Sequence, residues 1–158
     1  MISKFHYITQ DVDGFSHAEL AEFACKGGAG WIQLRVKNKS FEEWLTVAEK
    51  TKLVCKKYGA NLIINDNVLI AKYIEADGVH LGKEDLNPKE ARKILGNNFI
   101  IGGSANTIEY VKCQMENGCD YIGLGPYRFT STKEKLNPIL GLEEIKNIIR
   151  TMPPSGRG

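Results

Sequence analysis

Six times along this chain a short apolar run gives way to a polar loop, then a segment with helical spacing, then Gly or Asn-Gly. The runs are Phe5–Thr9, Trp31–Arg35, Asn61–Asn65, Gly78–Leu81, Phe99–Gly103 and Asp120–Leu124. No hairpin signals lie between them, so each run is expected to be a strand parallel to the next, joined to it by a crossover helix. The helix starts are legible. Ser16 with Glu19 and Ser40 with Glu43 form S-x-x-E capping boxes, Asn87-Pro88 puts a cap residue before a proline with Glu90 in the first turn, and Asn106 with Glu109 resembles a further cap. Gly27-Gly28, Gly59, Gly96 and Asn117-Gly118 fall where the periodicity stops. The second helix should present Trp44, Ala48, Thr51, Cys55 and Tyr58 on one face, and the last one Leu142, Ile145, Ile148 and Ile149.

Six such units suit an open doubly wound sheet or an incomplete barrel. The first strand-helix junction, Thr9-Gln10-Asp11-Val12-Asp13-Gly14, lacks the G-x-G-x-x-G of a dinucleotide fold. A complete (β/α)8 barrel needs about 200 residues or more, so at 158 residues the expectation is a TIM-barrel type lacking strands 7 and 8. One domain over 1–150 and a frayed tail over 151–158 are expected. The composition, 42% hydrophobic and 25% charged, excludes disorder, collagen and coiled coil. With no apolar run near the roughly 18 residues of a membrane span, and no basic-then-apolar leader, the expectation is a cytoplasmic protein without a membrane partner. A net charge of +2 gives no argument for nucleic acid. Cys25, Cys55, Cys113 and Cys119 contain no C-x-x-C pair and are read as buried reduced thiols.

The unusual polar residues gather at the downstream ends of the runs. In Ile32-Gln33-Leu34-Arg35-Val36-Lys37, a period of two sends Gln33, Arg35 and Lys37 to one face and the apolar residues to the other. In a barrel the apolar set packs under helices, and the amide and two cations point inward near the mouth; a solvated edge strand is the plainer reading. Asn65-Asp66 ends the third strand, or simply caps the helix near Asn67. Asp85 lies in the loop after the fourth strand, where turn chemistry is the alternative. His80 reads most simply as a satisfied core histidine. Ser104 follows Gly102-Gly103, and Thr130-Ser131-Thr132-Lys133 follows the sixth strand as a possible anion cradle or a solvated loop. In βα barrels the C-terminal rim carries the chemistry. Three cations and two carboxylates on that rim suggest a diphosphate bound through a divalent ion, and a carboxylate pair suits Mg²⁺, which keeps waters and shares phosphate oxygens.

The chain resembles the thiamine phosphate synthase family. The likeness is carried by Tyr7-Ile8-Thr9, Gln33 through Lys37, Ile64-Asn65-Asp66, Ala76 through Gly82, Asp85-Leu86, Ile101 through Ser104, Gly125-Pro126, Thr130 through Lys133 and Gly141-Leu142-Glu143, in family order. The resemblance implies an enzyme that joins hydroxymethylpyrimidine diphosphate to hydroxyethylthiazole phosphate and releases pyrophosphate. It implies a dissociative, Mg²⁺-assisted route with no side-chain nucleophile or general base. Gln33, Asn65 and Ser104 would line the pyrimidine and diphosphate pocket, Arg35, Lys37 and Lys133 would act on the diphosphate, and Asp66 and Asp85 would hold Mg²⁺. Thr130, Ser131 and Thr132 would contact the thiazole phosphate. Gly103 stands where a larger residue is common in the family. The likeness covers roughly the family's first three-quarters, which leaves strands one and six as edges; a second copy of the chain is one source of the missing strands. Two other readings are a thiazole tautomerase, which the cations and aspartates disfavour, and a truncated, non-catalytic diphosphate-binding remnant.

Overall fold

The computed structural model describes residues 2–128 and 139–152. It contains β1 (Tyr7–Ile8), α1 (His17–Lys26), β2 (Trp31–Leu34), α2 (Phe41–Tyr58), β3 (Asn61–Asn65), α3 (Val68–Tyr73), β4 (Gly78–Leu81), α4 (Pro88–Leu95), β5 (Ile100–Ala105), α5 (Ile108–Glu116), β6 (Tyr121–Leu124) and α6 (Gly141–Thr151). All strand pairs are parallel and the order is β1-β2-β3-β4-β5-β6. A doubly wound sheet reverses direction at a switch point; this one never does, so it winds one way as a barrel wall does.

Local signals build these elements. Both capping boxes form, with Ser16 accepting from Glu19 N–H and Ser40 from Glu43 N–H. Asn87 caps α4 through Lys89 N–H, with Pro88 at the first helical position. One cap differs from expectation. Thr107, not Asn106, starts α5, because its hydroxyl accepts from Tyr110 N–H. The first strand is also shorter than the Phe5–Thr9 run, and α6 continues through Thr151, the first residue of the expected tail.

The period of two in the strands sorts the side chains. Ile32, Leu34, Leu62, Ile64, Val79, Leu81 and Ile101 are buried against Ala21, Ala48 and Cys55 of the helices and their neighbours. Each such aliphatic side chain stabilises the sheet-helix interface by about 1.5–3 kcal/mol. On α2, Ala48, Thr51 and Cys55 are buried as expected, as is Cys25 on α1; of the other cysteines expected inside, Cys119 is half-buried and Cys113, on the outer side of α5, is exposed. On α6 only Ile148 is; Leu142 and Ile149 are exposed.

The opposite strand faces close the interior of the sheet. Trp31 is fully buried, stacks on His6 with ring centroids 4.5 Å apart, and meets Tyr121 edge-on at 5.8 Å. Trp31 therefore lies on the inner face with Gln33. Contact between β2 and β6 side chains shows how strongly the wall curls. At the entrances to β4 and β6, Asp77 and Asp120 accept the backbone N–H of Leu62 (2.7 Å) and Ile101 (2.8 Å) on the preceding strand. Arg92 anchors Asp120 at 2.6 Å. Among the described residues, no helix is long and apolar enough to cross a membrane.

Candidate active site

The downstream ends of β2 to β5 open into one cavity of about 570 Å³, a volume suited to a small-molecule ligand. β2 and its extension contribute Gln33, Arg35 and Lys37; β3 contributes Asn65 and Asp66; β4 and its loop contribute His80 and Asp85; β5 contributes Ser104. The period of two along β2 thus had the predicted effect: one face of the strand fills the core and the other lines the cavity. Of the residues expected at the site, Gln33, Arg35, Lys37, Asn65, Asp66, Asp85 and Ser104 come together here. Thr130, Ser131, Thr132 and Lys133 lie outside the described residues.

The polar floor is ordered by hydrogen bonds between strands. Gln33 and Asn65 are both buried, and Gln33 Nε2 donates to Asn65 Oδ1 at 3.2 Å. That bond fixes both amides: Gln33 Oε1 remains an acceptor and Asn65 Nδ2 a donor for a ligand. Asn67, rather than Asn65 or Asp66, caps α3 by accepting from Ile70 N–H. Asp66 is placed by its backbone instead, which adopts φ of 65° and donates its N–H to His80 O at 2.8 Å. Asn38 at the rim has φ of 50°; Asn and Asp tolerate this left-handed region better than most residues, and such backbone clusters at binding sites.

Asp85 closes a turn and also borders the cavity. Its Oδ2 accepts Gly82 N–H at 2.6 Å, which closes the loop after β4, and the side chain still lines the cavity. A Cβ on Gly82 would sit 2.9 Å from that same oxygen, so a larger residue there would push the Asp85 carboxylate away.

His80 is more than a core residue. Its Nε2 lies 3.0 Å from Ser104 Oγ and its Nδ1 lies 3.0 Å from Tyr121 Oη. Burial pushes the Tyr121 hydroxyl well above the usual tyrosine range, so it keeps its proton and can donate to Nδ1. In the tautomer where Tyr121 donates to Nδ1, Nε2 carries the ring proton and donates to Ser104, and the serine hydroxyl hydrogen is turned to the cavity. Spacing alone does not reveal this link, because it joins three strands through the curl of the wall. Lys83 and Glu84 also line the cavity without having been singled out; Lys83 sits over the Tyr110 ring at 5.1 Å. Gly103 has a physical reason in this chain: a Cβ there would meet Cys119 Sγ and Gln114 Cδ at 2.8 Å. The buried Gln114 occupies that space and donates to Ser104 O.

Cations and carboxylates therefore share one rim: Arg35, Lys37 and Lys83 beside Asp66, Glu84 and Asp85. Among the described residues no group of three His, Cys, Asp or Glu side chains forms a metal cage. A Mg²⁺ that keeps its waters and binds phosphate oxygens needs only one or two carboxylates, and Asp66 and Asp85 fit that donor set.

The family model described as thiamine monophosphate synthase matches residues 5–155. A thiamine-phosphate synthase of Bacteroides fragilis is 49% identical over 150 residues, covering 95% of this chain and 74% of the relative. One from Flavobacterium johnsoniae is 49% identical over 152 residues, covering 96% and 72%. The solved structure of thiamine phosphate pyrophosphorylase from Pyrococcus furiosus superposes with a TM-score of 0.82 at 30% identity, covering 94% of this chain and 70% of that one.

Proposed function

This chain belongs to the thiamine monophosphate synthase family, and from that premise we propose that its rim cavity binds a pyrimidine diphosphate and a thiazole phosphate and joins them with release of pyrophosphate. The observation that carries the proposal is the convergence of Gln33, Arg35, Lys37, Asn65, Asp66, Asp85 and Ser104 on one cavity. Gln33 and Asn65 offer a fixed acceptor and donor to a heteroaromatic ring, and Ser104, oriented by His80, offers a hydroxyl. Arg35 and Lys37 bind the diphosphate oxygens. Lys133 is assigned to the diphosphate, and Thr130, Ser131 and Thr132 to the thiazole phosphate, on the family resemblance.

Charge on the leaving diphosphate grows as its bond to the pyrimidine methylene breaks, so groups that hold that charge act chiefly on the transition state. A cation 4 Å from a phosphate charge contributes about 4 kcal/mol of Coulomb energy at an effective dielectric near 20, before desolvation. Asp66 and Asp85 would hold Mg²⁺, which when bound neutralises part of the diphosphate charge. Arg35 and Lys37 hold the rest while the thiazole nitrogen takes the pyrimidine carbon.

The test is turnover with both substrates and Mg²⁺, comparing the native chain with Asp66→Ala. The native chain should release pyrophosphate, and the variant should lose Mg²⁺-dependent turnover. Turnover that survives the substitution would remove Asp66 from the metal role. A native chain that binds the pyrimidine diphosphate without ever releasing pyrophosphate would be the non-catalytic remnant.

A further inference from the structure

Behind the cavity, between β1 and α1, lies a polar chain, buried at Thr9 and His17 and exposed at Asp11, that the proposed reaction does not use. Thr9 is fully buried and His17 is 6% exposed. Thr9 Oγ1 accepts Arg35 N–H at 3.1 Å and lies 2.8 Å from His17 Nδ1; His17 Nε2 lies 3.2 Å from Asp11 Oδ1. The carboxylate at its outer end fixes the sense of the chain. The Asp11 carboxylate can only accept, so His17 Nε2 carries a proton and donates to it; in the neutral ring Nδ1 then accepts the Thr9 hydroxyl hydrogen, while Thr9 Oγ1 accepts Arg35 N–H.

The location gives the chain its consequence. β1 has only two residues, and its ladder to β2 ends with Thr9 N–H donating to Gln33 O at 2.9 Å. The next β2 donor facing β1 is Arg35 N–H, and the Thr9 hydroxyl meets it. A side chain thus extends the sheet by one rung, at the residue whose guanidinium is assigned to the diphosphate. His17, held by Asp11, fixes the rotor of that hydroxyl. Thr9, Asp11 and His17 are not among the residues that line the cavity.

We propose that Thr9, braced by His17, is a positioning residue for the diphosphate site: its hydroxyl pins the Arg35 backbone and so aims the guanidinium into the cavity. The inference rests on the diphosphate reading of the cavity. It also predicts something that reading does not, namely that the protection of one backbone amide depends on a buried hydroxyl.

The experiment uses the full chain with inorganic pyrophosphate and Mg²⁺ as the probe. Binding is followed by calorimetry, and exchange of the Arg35 amide by NMR. Thr9→Val keeps the shape and removes the hydroxyl; Thr9→Ser keeps the hydroxyl. In Thr9→Val, pyrophosphate should bind about fivefold more weakly and Arg35 N–H should exchange at least about fivefold faster, the equivalent of one ordinary hydrogen bond. Thr9→Ser should restore both to within about twofold of the native chain. Native-like binding and unchanged Arg35 exchange in Thr9→Val would overturn the proposal, as would a folded Thr9→Ser that fails equally. Should Thr9→Val not fold, His17→Leu against His17→Asn decides: the first should loosen Arg35 exchange and the second retain it, and equal exchange in both would overturn the proposal. If the native chain binds no pyrophosphate, the diphosphate reading falls, while the exchange comparison still decides whether Thr9 holds Arg35.

Discussion

Gly102→Ala should be among the most damaging single-methyl changes in this protein, although Gly102 is an ordinary residue of β5 with no left-handed backbone. A Cβ built there would lie 2.2 Å from Tyr121 Cζ and 2.5 Å from both Cε1 and the hydroxyl. Real Cβ contacts almost never fall below 3.0 Å, so the ring must move by most of an ångström. It has little room. Tyr121 is packed edge-on against Trp31 and His6, with His80 on a third side. Overpacking of this kind costs about 1–3 kcal/mol, and a rigid, hemmed ring argues for the upper end. In a protein of this size about 3 kcal/mol lowers the melting temperature by about 6–12 °C. A shift of Tyr121 also loosens His80 and, through it, Ser104 at the cavity, so weaker ligand binding should accompany the stability loss. Gly30→Ala is the control, since a Cβ at Gly30 meets nothing within 4 Å; it should be neutral or stabilise by up to about 1 kcal/mol through the unfolded chain. The comparison is made by thermal unfolding of both variants beside the native chain. If Gly102→Ala melts together with Gly30→Ala, the inner layer is looser than the geometry states and the reasoning fails.

Asp120→Ala should cost about 3 kcal/mol, because it leaves the buried Ile101 N–H without its acceptor and removes the partner of Arg92. Asp120→Asn keeps an acceptor and should cost nearer 1 kcal/mol; equal urea midpoints for the two would show that the Ile101 bond contributes nothing. Burial pushes the Cys55 thiol up to about 12. The native thiol therefore stays protonated while the unfolded chain has already lost its proton, and stability should fall as pH rises from about 9 toward 12. Urea unfolding across that range should show a shallower fall in Cys55→Ala than in the native chain, and parallel slopes would contradict the burial argument.

Much of this architecture is legible in the sequence. The Ser16/Glu19 and Ser40/Glu43 boxes mark helix starts by local chemistry, and the alternation from Ile32 to Lys37 assigns faces by a period of two; neither depends on distant residues. Asn65, Asp66, Asp85 and Ser104 stand out by position, as polar residues at strand ends, and the structure brings them to one cavity. Contacts that cross the curl of the sheet were not legible. The direction of Trp31 depends on which face of β2 meets β6, and the His80–Tyr121–Ser104 link depends on how closely β4, β5 and β6 wrap. The start of α5 was misplaced by one residue because Asn106 and Thr107 are both competent caps, and only the backbone decides which hydrogen bond forms.

The central claim is that the β2–β5 rim gathers a diphosphate and a divalent ion into one place. Crystals grown with pyrophosphate and Mn²⁺ in place of Mg²⁺ test it most directly, because manganese gives an anomalous signal. The account predicts a manganese peak at the Asp66 and Asp85 carboxylates, with the diphosphate against Arg35 and Lys37. A manganese peak elsewhere, or a diphosphate bound away from Arg35 and Lys37, would contradict it.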